Sequence, residues 1–198
     1  MKLYPMKITS RTTDFKPMFL KPVRVFAERD RPEGPEEIFW ECIQSHDSVH
    51  VLLIDLNNRE FILVKQVRLP VMLADPSSAG IVIEACAGLV DKNKPLSTIV
   101  KEEILEECGY DILERDIHFV RSFKKSVGMS GGNCITFIAY VSDSVKANQG
   151  GGIHGENIVP IRVTFDNALP LVYGGKAMDT TTAFLLQYGY QLVKEIQV

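Results

Sequence analysis

The sequence has little that would staple it, anchor it or attach it to a nucleic acid. Its four cysteines, Cys42, Cys86, Cys108 and Cys134, contain no Cys-x-x-Cys pair, so the usual zinc-cage spacing is excluded. No apolar run approaches the length needed to cross a bilayer. The opening Met1-Lys2-Leu3-Tyr4-Pro5 lacks the apolar stretch of a secretory leader. A cytoplasmic chain with free thiols is therefore the expectation. There is no long run of Lys or Arg, and the formal net charge is -3. That excludes nucleic acid held mainly by phosphate neutralisation. An acidic chain that handles an anionic substrate must supply cations locally, as side chains or as metal.

Hydrophobic residues make up 45% and charged residues 24% of the 198 positions, an ordinary globular balance for one domain with an appendage. The appendage is residues 1–45, rich in Lys, Arg, Pro and Glu. It holds strand-like pieces at Pro22 to Ala27 and Ile38 to Ile43, with a turn through Asp30 to Pro35 between them. It has too few apolar residues for its own core, so it is expected to dock on the rest of the chain or on a second copy.

Residues 46–198 read as the main domain. Val49 to Leu56 and Glu60 to Val67 flank the polar turn Asn57-Asn58-Arg59, a hairpin pattern. Further strands are expected at Ile81 to Ile83, Ile117 to Phe123, Cys134 to Val141 and Ile158 to Phe165. A helix is expected over Leu96 to Cys108, because Leu96, Ile99, Val100, Ile104 and Cys108 recur at helical spacing. Gly109 is placed to stop it. A closing helix runs from Asp179 to about Ile196. Strands on both sides of a central helix, with a helix closing the chain, give an α+β sandwich.

The central helix is acidic. Glu103, Glu106 and Glu107 stand at i, i+3 and i+4 and project from one face. Carboxylates roughly 6 Å apart repel by about 2–3 kcal/mol per pair at an effective dielectric near 20. Either water or a cation must absorb that repulsion, and all-oxygen ligands favour magnesium or manganese over zinc.

The order of residues around the helix is more specific. Gly88 through Tyr110 resembles the Nudix box, Gly-x5-Glu-x7-Arg-Glu-U-x-Glu-Glu-x-Gly-U with U apolar. Gly88, Glu103, Ile104, Glu106, Glu107 and Gly109 match, and Tyr110 takes the last apolar place. Lys94 stands where the family has Glu, and Glu102 where it has Arg. The Arg normally pairs with a helix carboxylate, so Lys101 or an outside cation is expected to replace it. Ser45-His46-Asp47-Ser48-Val49, Leu63 to Arg68 and Glu84 to Asp91 resemble the UDP-sugar pyrophosphatase branch of that family. Gly152 to Asn157 with Ile161-Arg162-Val163 is similar to the ADP-ribose pyrophosphatases.

The resemblance implies a Nudix α/β/α sandwich with a mixed sheet and an N-terminal β extension used for dimerisation and as a substrate lid. It implies hydrolysis of a nucleotide-sugar diphosphate, UDP-glucose first and ADP-ribose second, with Mg2+ or, in substitution, Mn2+. It also implies a homodimer. Metal would be held by Glu103, Glu106, Glu107 and the carbonyl of Ala87. Glu156, on a glycine-rich loop able to close, would be the general base, with Glu106 or another helix carboxylate as the alternative. Arg68 would meet phosphate, and Glu84, which interrupts an apolar strand and needs a partner if buried, would be either a supporting orienter or a ribose contact. Trp40 and the backbone at Gly131 are further candidates for substrate contact. His46 and His154 show no metal spacing and are read as structural. The departures at Lys94 and Glu102 leave a non-catalytic nucleotide-sugar binding module as the rival reading.

Overall fold

The computed structural model describes residues 1–14, 16–17, 21–153 and 155–196. His154 lies outside them. The chain forms β1 (Lys21–Arg29), β2 (Glu36–Gln44), β3 (Ser48–Asp55), β4 (Glu60–Val67) and α1 (Leu69–Ala74). Then come β5 (Ile81–Glu84), β6 (Cys86–Leu89), α2 (Leu96–Glu103), β7 (Ile117–Lys124) and β8 (Asn133–Tyr140). β9 (Val159–Thr164), α3 (Phe165–Tyr173) and α4 (Thr180–Glu195) complete the domain.

β3 is the spine of a mixed sheet ordered β5-β4-β3-β8-β7, with β6 also on β3 and β9 also on β4. β3 and β8 run parallel, whereas β3–β4, β4–β9 and β7–β8 are antiparallel. The side chains of β3 alternate between two cores, as strand geometry requires. Val49, Val51 and Leu53 enter the core beneath α2, while Leu52 and Ile54 enter the core beneath α3 and α4. A strand apolar on both faces must be covered on both, and this one is. The α/β/α layering expected from the sequence is the one observed.

Two details depart from that expectation. The acidic helix is not α-helical to its end: after Glu103 it widens into a π-helical turn over Ile104–Cys108. Gly109, at φ +75°, ends it in the left-handed region. In addition, α3 stands where no helix was expected, with Pro170 inside it.

The extension is an antiparallel hairpin, β1 on β2, with Val25 facing Trp40 and Phe26 facing Phe39. It touches the domain through Ile43 N, which donates to Met129 O (2.8 Å), and Trp40 Nε1, which donates to Gly128 O (3.1 Å). Phe26 (75%), Phe39 (61%) and Trp40 (60%) stay exposed. The hairpin thus leaves most of its apolar surface uncovered by its own chain.

Candidate active site

The acidic helix sits with its last turns against β6. Gly88 lies against Glu103 so closely that a Cβ there would fall 2.2 Å from the Glu103 carboxylate carbon. Glycine at this position is a requirement of contact, not of backbone angle. One residue earlier, the Ala87 amide donates to Glu107 Oε2 at 3.0 Å. β6 therefore holds one carboxylate and makes room for the other.

The far end of the helix is fixed just as firmly. The last carbonyls of a helix have no partner within it. Here Gly152 N donates to Glu106 O and Gly151 N to Glu107 O, each at 2.9 Å. Lys146 Nζ donates to Cys108 O at 2.5 Å, and Ala147 N donates to Gly109 O at 2.8 Å. A Cβ on Gly150 would lie 2.2 Å from Glu107 O. The glycines at 150–152 are thus the cap of the helix. This corrects the reading of the whole glycine-rich stretch as a free lid: its first half is tied down. Glu156 follows the tied part, with its Oε2 accepting from Ile153 N at 3.0 Å.

These pieces converge on one cavity of about 480 Å³. It is lined by Glu103, Glu107, Ala87, Gly88, Arg68 and Glu156, together with Gln66, Ser48, His50 and Lys125. Arg68 reaches it while donating through Nε to Glu84 Oε2 at 2.9 Å. Glu84 is thereby the orienter of Arg68, and it lines a neighbouring cavity. Glu106 does not line the first cavity but stands near enough to raise the Glu103 pKa. Trp40 and Gly131 lie outside it in the single chain. Gly131, at φ +65°, has open space around its Cβ direction, and Trp40 belongs to the exposed hairpin. His50, Ser48 and Lys125 were missed as site residues. His50 is a polar side chain within an apolar strand, and that was the available signal.

Electrostatics separates the helix carboxylates. Glu102 is paired, with Lys92 Nζ at 3.2 Å and Lys94 Nζ closer still. The two positions that depart from the box therefore meet each other as an ion pair, a cation at the early position and a carboxylate at the late one. Lys101, expected to take over the missing Arg's work, instead pairs with Asp111 at 3.2 Å. Among the described residues, Glu103, Glu106, Glu107 and Glu156 form no ion pair with Lys or Arg. Desolvation, then the charge of Glu106, pushes Glu103 up to about 7. Desolvation pushes Glu107 up to about 8, against the amide of Ala87 and the thiol of Cys86.

Among the described residues no group of three His, Cys, Asp or Glu side chains already converges as a metal cage. The donor set nonetheless suits a hard divalent cation: two desolvated carboxylates without counter-charge, in a cavity open to further oxygen ligands. Glu103 and Glu107 are the candidate ligands.

Two substitutions test this construction. Gly88→Ala is expected to displace the Glu103 carboxylate and to lower metal-dependent turnover roughly a hundredfold, the cost of an ångström-scale misplacement. Far-ultraviolet circular dichroism and divalent-metal-dependent turnover, measured together, distinguish displacement from unfolding. Lys94→Glu alone is expected to raise the affinity for a divalent cation, because it removes a positive charge and leaves Glu102 paired by Lys92 alone beside the other helix carboxylates. Lys94→Glu with Glu102→Arg is expected to return it toward the wild-type value, and a titration of divalent metal against activity reads both.

No protein-family model matches the chain. Curated relatives do. The uridine diphosphate glucose pyrophosphatase NUDT14 of Mus musculus is 30% identical over 173 residues, 74% of this chain and 78% of that protein. Its Bos taurus counterpart is 31% identical over 156 residues, 65% and 70% of the two chains. A GDP-mannose pyrophosphatase of Escherichia coli O1:K1 is 33% identical over 143 residues, 70% of each. Among solved structures, an ADP compounds hydrolase superposes with TM-score 0.69 over 98% of this chain and 97% of the other, at 12% identity. That likeness speaks for the fold. With relatives of this identity and coverage, and the box from Gly88 to Tyr110 folded around one cavity, the chain belongs to the Nudix hydrolase family.

Proposed function

We propose that the chain hydrolyses the diphosphate of a nucleoside diphosphate sugar, UDP-glucose to UMP and glucose 1-phosphate in the first instance, with Mg2+ as its metal. The observation that carries this reading is the pair Glu103 and Glu107, desolvated and free of ion pairs, in one cavity with Arg68 and Glu156. A diphosphate needs its oxygens' charge offset and a water held in line with the bond to be broken. Glu103 and Glu107, with the carbonyl of Ala87 as a further ligand, would hold a divalent cation that would supply part of that charge. Arg68, aimed by Glu84, offers a planar fork to a phosphate oxygen. Glu156 takes the proton of the attacking water. The water oxygen ends on one phosphorus and the bridging oxygen leaves with the other. Glu106 acts through Glu103, whose charge it opposes.

GDP-mannose and ADP-ribose are the alternative substrates. The first is named in an Escherichia coli relative and the second by the resemblance of residues 152–163. The non-catalytic reading loses its ground once Lys94 and Glu102 are seen to pair. We also assign the hairpin to homodimerisation, because Phe26, Phe39 and Trp40 are left uncovered. Pairing of that kind would let Trp40 reach the substrate of a second copy. No helix among the described residues is long and apolar enough to cross a membrane, and all four cysteines are free thiols. Both agree with a cytoplasmic setting.

The test is turnover of UDP-glucose, GDP-mannose and ADP-ribose with Mg2+, scored by product identity. UDP-glucose is expected to have the highest kcat/KM, and Glu107→Gln is expected to lower it by two to three orders of magnitude with the fold intact. Absence of turnover on all three would overturn the assignment. The pH dependence has a definite sign. Glu103 and Glu107 titrate near 7 and 8 in the fold and near the ordinary 4.5 once unfolded. Their contribution to stability is therefore full below about pH 4.5 and is lost as pH rises toward about 8. Mg2+ binds the ionised carboxylates, so stabilisation by Mg2+ is expected to be larger at pH 8.5 than at pH 6. Thermal melts with and without the metal at the two pH values measure it.

A further inference from the structure

A second cavity, also of about 480 Å³, adjoins the first, and His50 and Lys125 line both. The wall between them is a short chain of polar groups. Lys125 Nζ donates to Ser48 Oγ at 3.1 Å, and Ser48 Oγ lies 3.1 Å from His50 Nε2. His50 Nδ1 is buried and has no hydrogen-bond partner among the described residues. A buried lone pair without a donor is tolerated more readily than a buried N–H without an acceptor. The ring proton therefore resides on Nε2 and is donated to Ser48 Oγ.

A serine hydroxyl has two lone pairs and one proton. Here His50 and Lys125 occupy both lone pairs, which leaves the hydroxyl proton to be donated. The Cys134 thiol, which Ser48 influences, is only a weak acceptor for it. Ser48 lines the first cavity. The junction therefore presents a committed O–H donor beside an ammonium group, a combination that suits a phosphate oxygen.

The second cavity is built differently from the first. Thr180 and Ser126 provide hydroxyl groups along it, beside the carboxylates of Glu84 and Asp179, which already accept from Arg68 and from the first turn of α4 but keep lone pairs for further donors. Its aromatic rings are already engaged. Phe123 and Phe184 meet edge to face at 4.7 Å, Phe184 stacks with Tyr188, and Arg121 lies over Phe123. The two lining rings stand nearly perpendicular and form no parallel-walled slot between them for a nucleobase, while the hydroxyl groups suit a polyhydroxylated ring.

Building on the nucleotide-sugar reading, we infer that Ser48 and Lys125 grip the phosphate of the sugar 1-phosphate half of the substrate, whose sugar ring occupies the second cavity. His50 is a positioning residue that turns the Ser48 hydroxyl toward that phosphate. The nucleoside half extends the opposite way.

Product inhibition reads each half separately. With the full chain, Mg2+ and whichever of UDP-glucose and GDP-mannose is turned over, the inhibition constants of the sugar 1-phosphate and of the matching nucleoside monophosphate are measured. Lys125→Met and Ser48→Ala are each expected to weaken inhibition by the sugar phosphate about tenfold, the scale of one charge-assisted hydrogen bond. Inhibition by the nucleoside monophosphate is expected to stay within about twofold. Lys125→Arg is expected to recover most of the loss. Equal weakening of both products, weakening of the nucleoside monophosphate alone, or no change in either would overturn the inference. Lys125 is partly exposed, so Lys125→Met keeps the test alive should Ser48→Ala fail to fold. Wild-type protein inactive on every nucleotide sugar would overturn the functional reading and this inference with it. Active wild type with unselective variants would overturn only the inference.

Discussion

Carboxylates at the C-terminal end of a helix are in the wrong place by every local rule. The helix dipole is negative there, neighbouring glutamates repel, and burial disfavours the charged form. Glu103 and Glu107 meet all three conditions, and among the described residues neither forms an ion pair, Lys92 easing Glu103 only from a distance. It does supply rigidity. The Ala87 amide holds one oxygen of Glu107, Gly88 leaves the volume that Glu103 fills, and the loop at 146–152 satisfies the carbonyls on which the last turn ends. A chain that arranges so much support for an unfavourable charge has a use for that charge. A divalent cation against a diphosphate is the use that fits the surrounding groups.

The neighbouring features depend on this constraint. Glu102 is the one helix glutamate that two lysines neutralise, and that pairing keeps a fourth negative charge out of the cavity. The π-helical turn over Ile104–Cys108 brings Glu107 inward while its final carbonyls face the glycine loop. β3 carries Ser48 and His50 on one side of the site. Its register with β6 sets His50 beside Ala87, so metal ligands and the polar wall between the cavities share a single strand pair.

Much of this was legible in the sequence, for physical reasons. The long apolar runs at β3 and β4 and the helical spacing from Leu96 to Cys108 are strong periodic signals. They gave the sandwich and placed the acidic face. Glu103, Glu107 and Ala87 were singled out by their place in or beside the box, and Arg68 and Glu156 by the resemblance of segments outside it; the structure gathers all five at one cavity. Other features were hidden because they depend on contacts between distant residues. Lys94 and Glu102 looked like two separate departures until the fold made them one ion pair. The glycines at 150–152 looked like freedom, whereas their missing side chains permit close packing on the helix end. α3 was obscured by Pro170, a helix breaker that packing overrides. Trp40 and Gly131 suggested contact chemistry by residue type alone, and nothing in residue type reveals that the single chain holds them apart from the acidic cavity.

The central claim is that the two desolvated carboxylates, which form no ion pair among the described residues, share a hard cation. Crystals soaked in Mn2+ test it most directly, by anomalous diffraction. The account predicts a single strong peak, or a close cluster of peaks, within bonding distance of Glu103 and Glu107, lost in Glu107→Gln. Manganese bound only elsewhere on the chain, with these carboxylates bare, would contradict it.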